Sequence, residues 1–100
     1  MKITYAITVC NEHKEIEKLL TFIFENKRLE DQVVVQMDKD NVTDKVWDVC
    51  ERFENRQATE YSLIQHSLNK NFAEYKNHLN KNCSGDWIFQ IDADEIPNPY

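Results

Sequence analysis

The chain holds a single glycine, Gly85, and that scarcity removes two nucleotide-binding architectures together. The P-loop and the dinucleotide fingerprint both need several glycines, because backbone amides must approach phosphate closely. Both prolines, Pro97 and Pro99, follow the acidic cluster Asp92, Asp94 and Glu95. Cysteine is sparse, odd in number and scattered at Cys10, Cys50 and Cys83. That argues against a disulfide scaffold or a CxxC metal site and suits reduced thiols among apolar neighbours. The apolar stretches are strand-sized, far below the ~20 residues of a bilayer span. Met1-Lys2-Ile3 also lacks a secretory-leader layout, so the expected location is cytoplasmic. Basic residues are outnumbered, 12 Lys and Arg against 18 Asp and Glu, for a net charge of −6. With no basic stripe interleaved with aromatics, the long-range field repels a phosphate backbone, and nucleic acid is not an expected partner.

What is present is the composition of an ordinary globular protein, 41% hydrophobic and 30% charged. Residues 1–100 are enough for one domain, which can bury roughly two-thirds of its surface. "ITYAITVC" (3–10) is nearly continuous apolar sequence, as expected of a strand covered on both faces. Ile16, Leu19, Leu20, Ile23 and Phe24 then fall on one face of a helix, with Asn11 as its expected cap. "VVVQM" (33–37) reads as a second buried strand. Val42, Val46, Val49, Cys50 and Phe53 form the next helical stripe, with Asn41 as cap. "YSLIQH" (61–66) is a weaker third strand. Phe72, Tyr75, Leu79 and Cys83 line a third helix, closed by Gly85 as a left-handed cap, and "WIFQI" (87–91) is the fourth strand.

The order βαβαβαβ implies a Rossmann-like α/β fold, a parallel sheet with helices on both faces. In such a sheet all strands end along one edge, where ligands bind beside the reversal of strand order. Thr8, Cys10 and Asn11, Asp38 and Asp40, His66, and the group Asp92, Asp94 and Glu95 therefore gather from distant parts of the chain.

Of these, "DADE" carries the most chemistry. Two carboxylates on a turn leaving a strand can hold a hard divalent cation whose open positions accept phosphate oxygens. A solvated acidic turn has the same letters. Its place after the fourth strand of this alternation favours the cation. Asp38 can accept from a base N–H or a ribose hydroxyl, while Asp40 and Asn41 suit a turn. Thr8 and Asn11 can meet a base edge or simply end the strand and begin a helix. Lys70 and Lys76 lie near the same edge, where an ammonium offsets diphosphate charge, although a helix lysine is ordinarily just solvated. His13, His66 and His78 have no metal-ligand spacing.

Taken together, "ITVCNE", "VVVQMDKDN" and "YKNHLNKNCSGDWIFQIDADE" resemble the N-terminal half of a family 2 glycosyltransferase of the GT-A fold, over essentially the whole chain. The resemblance implies a nucleotide-sugar donor site. Thr8, Asn11 and Asp38 are expected at the nucleobase and Asp92 near the ribose and the metal. Asp94 is expected on Mn²⁺ or Mg²⁺ bound to the donor diphosphate. Where relatives carry Arg-Asn in the third helix, this chain has Lys76-Asn77, and Lys39-Asp40-Asn41 replaces the usual Asp-Gly-Ser. The resemblance further implies that the acceptor site, for a saccharide, lipid or protein, and the catalytic base lie in a further half. Donor binding is thus the expectation for these residues, without sugar transfer by them alone. Two other classes stay open. One is a non-catalytic nucleotide-binding or assembly module that keeps the fold without the chemistry; under either reading an exposed sheet edge can pair with a second copy of the chain. The other is a phosphoester hydrolase, which wants paired aspartates after the first strand, where "VCNE" stands.

Overall fold

The computed structural model describes residues 1–54 and 60–93. Within them the elements run β1 (Ile3–Val9), α1 (His13–Asn26), β2 (Gln32–Asp38), α2 (Asp44–Arg52), β3 (Tyr61–His66), α3 (Phe72–Lys81) and β4 (Trp87–Asp92). The strands form one four-stranded sheet of order β3-β2-β1-β4, every pair parallel. After β1 the chain steps outward to β2 and β3, then returns to lay β4 on the other side of β1. The order therefore reverses at β1.

Alternation along the strands decides which helix covers which side. Ile7, Val9, Val33, Val35 and Met37 face α1 and α2, meeting Ile16, Leu19, Leu20, Ile23, Val46, Val49 and Cys50 in the main core. Phe24 joins the two helices to the sheet, stacked on Phe53 and edge-on to Tyr61, both with centroids at 5.4 Å. Burial of each such side chain contributes about 1.5–3 kcal/mol, and α1 and α2 owe their position to it.

The opposite face is different in kind. Its apolar cluster is small, Ala6, Val34 and Leu79, and α3 is held over it largely by polar contacts. Gln36 is fully buried; its Nε2 donates to the Tyr75 carbonyl at 2.9 Å and its Oε1 pairs with His78 Nδ1 at 2.7 Å. Because Nε2 is committed as donor, Oε1 accepts, which assigns the proton to His78 Nδ1. Thr4 donates to Gln32 Oε1 at 2.7 Å, and the Ser84 amide reaches the same oxygen at 2.8 Å. Among the described residues no buried side-chain polar atom lacks a partner, so this face forgoes apolar burial without leaving desolvated groups unpaired.

Several local expectations are corrected. The N-cap of α1 is Glu12, not Asn11, whose carbonyl instead accepts from His13. The N-cap of α2 is Thr43; Asn41 is drawn back to donate to Asp38. α3 ends at Lys81 with Asn82 as C-cap, and Gly85 has no positive φ. Gly85 is required sterically: a Cβ there would stand 2.6 Å from the Thr4 amide nitrogen. Finally, β4 is not buried along its apolar run. Trp87, Ile88 and Phe89 are 63%, 41% and 54% exposed, because β4 is an edge strand whose contacts with α3 fall farther along, at Gln90 and Asp92. Of the three cysteines only Cys50 is fully buried, and none is in a disulfide.

Candidate functional site

At the C-terminal edge of the sheet, beside the order reversal, lies a cleft of about 230 Å³. β1 lends it Thr8 and Val9, with Cys10 and Glu12 following; β2 lends Asp38, β4 lends Asp92, and Leu68, Phe72, Tyr75 and Lys76 approach from α3 and the loop before it. The parallel register makes this convergence necessary. Thr8 is the partner of Asp92, and Asp38 lies one strand away, opposite His66.

Asp92 is half exposed, and two donors reach the same oxygen. The Thr8 hydroxyl donates to Oδ1 at 2.5 Å and the Lys76 ammonium at 3.1 Å. Asp38, by contrast, is only 7% exposed and is fixed by its own loop, with the Asp40 amide on Oδ1 at 3.3 Å and Asn41 Nδ2 on Oδ2 at 2.9 Å. Asp40 and Asn41 thus serve the turn, and Asp40 also accepts from Ser67 at 2.6 Å. Glu12 Oε1 accepts from the Cys10 amide at 2.9 Å, bracing the turn out of β1.

Three carboxylates, Glu12, Asp38 and Asp92, face one ammonium, Lys76, so the cleft attracts cations. Burial, then the charges of Asp38 and Glu12, holds the Cys10 thiol above its usual range. Burial and then the Asp38 charge likewise push the Tyr75 phenol upward. Tyr75 is a protonated wall whose hydroxyl lies 3.4 Å from the Gln36 carbonyl.

Of the residues singled out from sequence, Thr8, Asp38, Lys76 and Asp92 meet in this cleft. Asn11 is exposed at the same edge but outside the lining, as is Lys70, which with Asn69 has a left-handed backbone, φ 58° and 51°. Asp94 and Glu95 lie outside the described residues. His66 turns away from the cleft, stacked on His78 with centroids at 4.0 Å and paired with Glu74 at 3.1 Å. Phe72 and Tyr75 were legible only as helix-stripe residues; their position in the first turns of α3, at the strand-end edge, is the signal that places them here. Among the described residues no three His, Cys, Asp or Glu side chains cluster as a metal site, and no helix is long and apolar enough to cross a membrane.

A four-stranded, all-parallel sheet of this order with helices on both faces defines a Rossmann-like α/β fold, with an acidic cleft at its switch point. The family model described as Glycosyl transferase family 2 matches residues 4–100, and the chain belongs to that family. No significant similarity to a curated protein or to a solved structure was found.

Proposed function

We propose that the cleft binds the nucleotide diphosphate of a sugar donor with the help of a divalent cation, and that residues 1–100 form one donor-binding domain of a glycosyltransferase. The observation that carries this reading is the convergence of Thr8, Asp38, Lys76 and Asp92 on one cleft at the order reversal of a family 2 sheet. Asp38, rigidly held and nearly buried, presents acceptors to a base or ribose, with Thr8 beside it. Three carboxylates repel a diphosphate unless a cation stands between them, and Lys76 alone is outnumbered.

The donor set fits Mg²⁺ or Mn²⁺, which bind through one or two carboxylates and complete their shell with phosphate oxygens and water rather than through an all-protein cage. Asp92, with Asp94 two residues on, would hold the ion, which when bound supplies Lewis acidity toward the leaving diphosphate. The chain's own part is positioning: Thr8 and Lys76 orient Asp92, and Tyr75 walls the cleft. Cys10, Cys50 and Cys83, none of them in a disulfide, fit the expected cytoplasmic setting.

Calorimetric titration with uridine and guanosine diphosphates, with and without Mn²⁺, tests the reading. Metal-dependent binding that Asp92→Asn and Asp38→Asn each weaken at least tenfold is expected; binding indifferent to both variants contradicts it. The exposed apolar run of β4 supports a second reading, an assembly module that pairs through this edge. Concentration-dependent self-association together with no nucleotide binding would favour it.

A further inference from the structure

We propose that Lys76 and a divalent cation compete for the same oxygen of Asp92, so that arrival of the metal releases the ammonium to the donor diphosphate. The inference rests on the donor-site reading above and concerns how that site loads. Lys76 Nζ and the Thr8 hydroxyl both point at Asp92 Oδ1, at 3.1 Å and 2.5 Å. The two donors are not equivalent. A hydroxyl can rotate its proton away and leave a neutral oxygen beside a metal, whereas an ammonium cannot share a carboxylate oxygen with a dication without strong repulsion.

The exchange is energetically cheap. The Lys76 and Asp92 side chains are 32% and 49% exposed, and solvated pairs of this kind contribute little. Lysine also carries its charge on a flexible four-carbon stem, so the head can swing while the backbone stays docked through neighbouring Tyr75, whose carbonyl accepts from Gln36. Once displaced, the ammonium faces Glu12 and Asp38 across the cleft, and a diphosphate bound among them is its strongest partner. Metal and nucleotide thereby reinforce each other without any backbone rearrangement. An arginine at this position would grip the carboxylate through a planar fork and give it up less readily.

The distinguishing feature is a pair of opposite signs. Binding of Mn²⁺ alone is followed by the loss of its free-ion electron paramagnetic resonance signal, and binding of uridine or guanosine diphosphate at saturating Mn²⁺ by calorimetry. Lys76→Gln is expected to tighten Mn²⁺ roughly two- to fivefold, the value of an exposed pair, while weakening the diphosphate by a similar factor or more. Lys76→Arg is expected to weaken Mn²⁺ alone. If the wild type binds both ligands but Lys76→Gln leaves Mn²⁺ affinity unchanged, or weakens both, the exchange is overturned and the donor site stands. If the wild type binds no Mn²⁺, the donor-site reading fails and the exchange fails with it.

Discussion

Thr8 and Asp92, separated by 84 residues in the chain, lie side by side in the β1–β4 register, and the Thr8 hydroxyl donates to Asp92 Oδ1 at 2.5 Å. The bond spans the point where the strand order reverses, so it joins β1 and β4 at the mouth of the cleft. A carboxylate at an edge strand's end would otherwise sample several rotamers; a donor from the central strand limits them. Thr8→Val should therefore weaken metal-dependent nucleotide binding about fivefold, corresponding to about 1 kcal/mol for one hydrogen bond, and leave the thermal midpoint nearly unchanged. Thr8→Ser should restore affinity. Equal loss in both variants would show that the hydroxyl is not what matters.

Gly85 governs folding rather than binding. With 2.6 Å between a hypothetical Cβ and both the Thr4 nitrogen and Oγ1, Gly85→Ala must push the loop away from β1 and lengthen the 2.8 Å bond from the Gly85 amide to Thr4. Overpacking against backbone costs about 1–3 kcal/mol, to be read from urea denaturation. An unchanged midpoint would mean that the loop yields freely.

Asp31 is 1% exposed and receives the Ile3 amide at 2.9 Å, the Arg28 amide at 3.2 Å and the Arg28 guanidinium at 3.0 Å. Burial alone would raise its pKa, but the Arg28 side-chain bonds and the two amides outweigh it and hold the carboxyl below the usual range. A lowered folded-state pKa adds stability above the unfolded value near pH 4, lost as pH falls through the folded one. Urea midpoints between pH 7 and pH 3 should drop for the wild type. Asp31→Asn should lose about 1–3 kcal/mol at pH 7 and show a shallower acid slope.

His78 should act in the other half of the titration. Burial first, then the nearby His66 and Lys81, lower its pKa, with Glu74 opposing. The folded state thus binds the proton less well than the unfolded chain, so stability is present above about pH 6.5 and declines as pH falls through that unfolded value. Stability measured from pH 7.5 to pH 5.5 should fall, and His78→Gln should flatten the slope in this window. An identical slope in the variant would assign the acid sensitivity elsewhere.

Much of the architecture is legible without coordinates. Continuous apolar runs at β1 and β2, and stripes such as Ile16, Leu19, Leu20 and Ile23, fix element type because a strand buried on both faces and an amphipathic helix leave different periods. Alternation of the two then implies parallel strands, and parallel strands bring Asp38 and Asp92 to one edge. Cap identities were less legible. Asn11 and Asn41 suit a cap as well as Glu12 and Thr43 do, and the choice depends on where the backbone turns and on whether Asp38 needs a donor.

The sequence by itself determined the order of elements, the direction of the strands and the edge at which the carboxylates gather, because those follow from local periodicity and the handedness of crossovers. Only the tertiary structure decided that β4 lies at the sheet's margin with Trp87, Ile88 and Phe89 exposed. It also decided that α3 is fastened through Gln36 and His78, and that Thr8 and Lys76 share one oxygen of Asp92. Those features depend on which strands become neighbours and how far each helix reaches across them, and such long-range packing leaves no period in the chain to read.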